Sequence, residues 1–172
     1  MNKDILKYGF LILLLPILQE VIFNHINLFG FVNPMIYIVF VFVFPVYKNK
    51  TSILWASFIL GLFIDMLSNE GGIHTFSLVF VSYFRLFFLR FVKGSSLGDE
   101  ETIDILQIGN SIQVVWILIV SFTHHFLVYL LEQFSFHRFG FVLLKTFLTT
   151  ILTSLLISFA LQIFLKKKSN AW

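Results

Sequence analysis

The chain has no cysteine, three prolines and few charges: only 12% of its 172 residues are Asp, Glu, Lys or Arg. Without cysteine there are no disulfides, no thiol nucleophile and no thiolate metal ligand. So little charge excludes an ordinary water-exposed surface, since soluble domains carry about 25% charged residues. What fills the sequence instead is apolar. Hydrophobic residues make up 58% of it, Phe alone occurs 24 times, and the mean hydropathy is +0.92. Much of this surface must face lipid.

A lipid-crossing helix needs roughly 17–25 apolar residues, because the hydrocarbon core is about 30 Å thick and a helix rises about 1.5 Å per residue. Six runs qualify, at roughly 8–26, 31–47, 52–68, 74–92, 113–133 and 141–165, the second and third near the short limit. The expectation is an all-α integral membrane protein: one polytopic domain over residues 1–172, a bundle of about six transmembrane helices. A β-barrel is excluded because runs such as Met35 to Phe44 do not alternate apolar with polar. Pro34 opens the second run, where it costs no helical hydrogen bond, and Pro45 closes it. Pro16 lies inside the first run and should kink it. That run has a charged flank but no small-residue cleavage site, so it is expected to stay as a span. No internal repeat is evident. The longest gap, roughly 94–112, is too short to bury a core of its own. Its Asp99-Glu100-Glu101 could cap a short helix through Ile103, Leu106 and Ile108, lying at the interface or docking a cytoplasmic partner.

Charge sets the orientation. The net charge is +3. Lys3, Lys7, Lys48, Lys50, Arg85, Arg90, Lys93 and Lys166-Lys167-Lys168 all fall at one side of a six-span layout. Only Arg138 and Lys145 fall at the other. The excess of positive residues in cytoplasmic loops then places both termini in the cytoplasm. The same lysines suit contact with anionic lipid. No basic face extends beyond the membrane edge, so nucleic acid is not an expected partner.

Ionisable groups inside spans are costly and tend to face a bundle interior, a partner or a water cavity. Here they share a depth. Gln19, Glu20 and His25 lie in the outer half of the first span, Asp65 near the outer end of the third, and His74 at the start of the fourth. His124, His125 and Glu132 occupy the middle and outer part of the fifth. These residues predict a polar cluster, or a shallow cavity, open to the outside. A metal site is disfavoured: adjacent His124 and His125 point about 100° apart, and His125 and Glu132 are roughly 10 Å apart along the axis. A proton relay would need polar steps through the inner half, and the sequence offers almost none there. No phosphate loop, HExxH motif or nucleophile–base set is present, so neither catalysis nor a cofactor is expected. The remaining role for these groups is to hold helices in register or to receive a partner's helix.

The most distinctive stretch runs from Gly61 through Asp65, Leu67-Ser68 and Gly71-Gly72 to His74. Gly61 permits close helix approach. Asp65 and Ser68 close the span with groups that can stay wet, and Gly71-Gly72 allows a tight reversal with positive φ. This order of residues resembles the rod shape-determining protein MreD family, as do the length, the span number, a proline (Pro34) opening the second span, and the His124-His125 pair followed by Glu132. Met35 follows Pro34 where many members carry an acid. The resemblance implies a non-enzymatic component of the bacterial cell-elongation complex in the cytoplasmic (inner) membrane. It further implies a single-span MreC-type partner linking MreB filaments to peptidoglycan synthases, and a fold similar to the substrate-binding subunits of energy-coupling factor transporters. A small-molecule binding subunit of such a transporter is the alternative. The bulky Leu11-Ile12-Leu13-Leu14-Leu15 replaces the small-residue face those subunits use in span one. A third reading places lipid headgroups on Glu20, Asp65 and the histidines.

Overall fold

The computed structural model describes residues 3–28, 30–44, 50–94, 109–133 and 139–169. Among these the regular structure is helical: α1 (Lys3–Val21), α2 (Val39–Val43), α3 (Lys50–Ser68), α4 (Ile73–Lys93), α5 (Asn110–Gln133) and α6 (Phe139–Ser169), with 3₁₀ turns at Phe23–His25 and Ile36–Ile38. Five helices, all except α2, are long and apolar enough to cross a bilayer. The protein is therefore a membrane protein built as a helical bundle. Side chains such as Phe10, Trp55, Phe91 and Phe159 are more than 60% exposed, as a lipid-facing surface requires. The possible loop helix at 99–108, together with Lys48, Pro45 and Arg138, lies outside the described residues.

The polar contacts fix how the helices run. Ser68 Oγ donates to Glu20 at 3.0 Å, so α1 and α3 end side by side and are parallel. Asp65 meets the first turn of α4, and Lys145 meets Glu132 at 3.1 Å. The ends of α1, α3 and α5 and the starts of α4 and α6 thus share one end of the bundle, which is the polar end. The other end carries the start of α3 at Lys50 and the close of α4 at Lys93. Parallel α1 and α3 require the chain between them to cross back.

That return crossing departs from the expected helix over roughly 31–47. Residues Asn33, Pro34 and Met35 have no regular structure, and helical geometry holds only from Ile36 to Val43. Those residues rise about 12 Å, well under the hydrocarbon thickness. Pro34 therefore precedes the helical part instead of opening it. At the other end Phe44 is extended (φ −70°, ψ 127°), because the residue before a proline, here Pro45, is pushed out of the helical region. Tyr37, Ile38, Phe40 and Val41 are each 0% exposed. The segment is enclosed by protein, not lipid, and that permits its irregular backbone.

Side chains from the long helices satisfy that backbone. Gln19 of α1 accepts from the Ile36 amide (2.9 Å) and donates to the Pro34 carbonyl (3.1 Å). Thr153 of α6 accepts from the Met35 amide at 3.3 Å. Arg85 of α4, buried at 2% exposure, turns its guanidinium onto the carbonyls of Val41 (3.2 Å) and Phe44 (2.9 Å). These are carbonyls at the end of α2, where a cation is favourable. Replacing Arg85 by Leu leaves them in an apolar core and should lower unfolding stability in micelles by about 2–3 kcal/mol. Chemical unfolding followed by tryptophan fluorescence measures this, and an unchanged midpoint would show that the guanidinium does not hold the crossing.

Candidate functional site

The spacing of Gly61 and Asp65 places both on one face of α3, a helical turn apart. That face meets the start of α4. A Cβ on Gly61 would sit 2.5 Å from Thr75 Cα, so only glycine allows the two backbones to touch. One turn later the Asp65 carboxylate accepts from the amides of His74 (3.0 Å) and Thr75 (2.8 Å) and from the Thr75 hydroxyl. It caps the otherwise orphaned first turn of α4 from a neighbouring helix. The Asp65 carbonyl also accepts from the Glu70 amide at 2.8 Å, closing α3 in a Schellman turn with Asn69 at φ 55°. Gly72 is left-handed at φ 89°, whereas Gly71 has no positive φ. The reversal expected of Gly71-Gly72 is thus made by Asn69 and Gly72.

The remaining polar residues do not form one cluster but two groups. The first lines a cavity of about 200 Å³ at the polar end, between Glu20, Ser68, Glu70, Tyr129, Glu132 and Lys145. Glu20 accepts from Asn24 (2.6 Å) and Ser68 (3.0 Å), and Glu132 pairs with Lys145, which also lies 4.1 Å from the Tyr129 ring centroid. His25 is apart from it, hydrogen-bonded through Nδ1 to the Glu20 carbonyl. Burial raises the Glu70 carboxyl above its ordinary 4.5, and the carboxylates of Glu132, Asp65 and Glu20 push the same way against Lys145.

The second group is deeper. Tyr37 OH sits within hydrogen-bond distance of His74 Nδ1 (2.6 Å) and His124 Nε2 (3.2 Å), with Met35 Sδ at 3.7 Å. His74 Nε2 lies 3.5 Å from Glu70, so Glu70 and His74 connect the two groups. His125 points away from His124, to Thr150 on α6 at 3.0 Å. The two histidines therefore serve different interfaces, as their adjacency implied. Among the described residues no three His, Asp or Glu side chains gather as a metal would need. Tyr37, and the α6 hydroxyls Thr146, Thr149, Thr150, Thr153 and Ser154, were not among the expected site residues. The signal was present: those hydroxyls recur at the three- and four-residue intervals of one helical face.

Comparison with protein-family models, curated proteins and solved structures returns no match.

Two outcomes follow for stability. Gly61→Ala should lower it by about 1–3 kcal/mol, the usual penalty of overpacking. Gly9→Ala, with nothing within 4 Å, should leave it equal or raised. Equal effects of the two would refute the close approach of α3 and α4. For Glu70, the raised folded-state value means the folded protein holds a proton that the unfolded chain has already released at the same pH. The native state then binds more protons than the unfolded one, so stability falls as pH rises from 4.5 through the raised value. Glu70→Gln should flatten that fall in a pH series of thermal melts, and an unchanged slope would assign it to another group.

Proposed function

We propose that this protein is a non-enzymatic membrane component that docks a single-span partner, in the manner of the MreD family whose hairpin it resembles. Its place would be the bacterial cytoplasmic membrane, with the basic end and both termini in the cytoplasm. Its partner would be an MreC-type protein, and through it MreB filaments and peptidoglycan synthases.

One observation carries this reading. The α3–α4 hairpin, locked by Gly61 and Asp65, presents an apolar groove of about 620 Å³ on its lipid side. Leu54, Phe58 and Leu62 of α3 face Phe76, Val79 and Phe80 of α4 across it. Transmembrane helices associate by packing, so a rigid, grooved face serves them better than a smooth one. Because Asp65 joins the two helices, it acts by shaping the groove, whose lining also includes Gly72 of the same motif.

The alternative, a small-molecule binding subunit of a transporter, is favoured by the polar cavity around Glu20 and Glu132. A mild-detergent pull-down of the tagged protein from its native membrane separates the two. The docking reading expects a single-span protein with a periplasmic coiled coil, together with cell-wall synthases. An ATPase pair with a coupling subunit would replace it by the transporter reading. Val79→Trp fills the groove without touching the Asp65 cap. It should reduce partner recovery about tenfold, equivalent to 1.4 kcal/mol, while membrane yield stays constant. Undiminished recovery would remove the groove from the proposal.

A further inference from the structure

The α5–α6 interface is polar in a way that docking does not require. The two helices are antiparallel, and His125 bonds Thr150 across the interface at 3.0 Å. One turn toward the polar end, Tyr129 bonds Thr149 at 2.9 Å, beside Thr146. One turn the other way, the same register sets Ser121 opposite Ser154. Ser121, His125, Thr146 and Ser154 are all at least nine-tenths buried. Each keeps a polar atom without a protein partner: Ser121 Oγ, His125 Nε2, Thr146 Oγ1 and Ser154 Oγ.

A hydroxyl on a helix can always satisfy itself by donating to the carbonyl one turn earlier. In this molecule Ser77 does so to Ile73 (2.8 Å), and Thr123 to Ile119 (2.9 Å). The three seam hydroxyls do not. They stand with an imidazole nitrogen along one interface, over about two helical turns. Buried polar groups of this kind are satisfied by ordered water, which typically makes about three hydrogen bonds in such a site. The seam also has a source of water. Tyr129 and Lys145, from the same two helices, line the cavity at the polar end.

We propose that the α5–α6 seam binds a file of water molecules that enters from the polar cavity and reaches His125. Two hydroxyls bound the site along α6: Thr146 next to the cavity and Ser154 beyond His125. The site takes water because its free atoms include both lone pairs and rotatable O–H groups, and neither an anion nor a cation finds a matching charge among them.

The test is water-edited solid-state NMR on the full chain, ¹⁵N-histidine labelled, in lipid bilayers. Exposed His25 is the internal reference for rapid transfer from water. The proposal expects transfer to the His125 ring at a rate within about tenfold of His25. It expects that transfer to fall at least tenfold in the double variant Thr146→Val, Ser154→Ala, with the His25 signal and the melting temperature unchanged. Absence of transfer to His125 in the native protein would overturn the proposal. So would transfer that persists at full rate in the double variant. If that variant does not fold, Thr146→Val alone is read. It should slow transfer to the His125 ring several-fold and spare His25, and an unaltered build-up curve at His125 counts against the file.

Discussion

The bundle depends on satisfying one irregular stretch of backbone inside a membrane. Hydrocarbon offers no hydrogen bonds, so a crossing that is not a continuous helix survives only if protein supplies the missing partners. The second crossing is such a stretch. Prolines at both ends leave it helical only from Ile36 to Val43. Gln19, Arg85 and Thr153 then reach its open amides and carbonyls from α1, α4 and α6. Tyr37, in its first turn, adds contacts to His74 of α4 and His124 of α5. Four of the long helices are thereby tied to one central segment. This accounts for the burial of Gln19, Arg85 and Thr153: they follow the backbone that needs them.

The hairpin motif belongs to the same scheme. Asp65 orders the start of α4 by taking the amides of His74 and Thr75. Ordering His74 in turn fixes the ring that meets Tyr37. A single carboxylate on α3 therefore positions the lipid-side groove and the internal knot together. A substitution there would disturb both, so loss of partner binding in an Asp65 variant is ambiguous. Groove side chains such as Val79, which lie outside the hydrogen-bond network, report on docking alone.

Much of the architecture was legible in the sequence because the bilayer restricts it. Long apolar runs become helices, and the bounds of α3, α4 and α5 fall within a few residues of the apolar runs. The second run misled for a physical reason. Hydropathy reports burial away from water and cannot tell lipid from protein interior, and the ten apolar residues from Met35 to Phe44 fit either. Its two prolines were the better guide, read as limits on helix length instead of as permitted ends. The sequence spacing grouped the polar residues at one end of the bundle, yet their division into a cavity and a buried knot depends on which way each helix face turns. Tyr37 was hidden because a tyrosine in an apolar run reads as bulk. Arg85 gave no partner because it bonds to carbonyls, which every residue carries.

The distribution of bond types separates stability from function within this polar end. Glu132 and Lys145 are partly exposed, at 37% and 19% of their side chains, and a pair of that kind contributes about 0–1 kcal/mol. Glu20 likewise lies on the cavity wall, held by Asn24 and Ser68. The bonds of Gln19, Tyr37, Asp65 and Arg85 are buried, where a lost partner leaves an unsatisfied group at about 1–3 kcal/mol each. Folding is therefore sensitive to the deep group and to Glu70, and nearly indifferent to the Glu132–Lys145 pair. A Glu132 variant would therefore probe the cavity with the least disturbance of folding, because its ion pair with Lys145 is the partly exposed one.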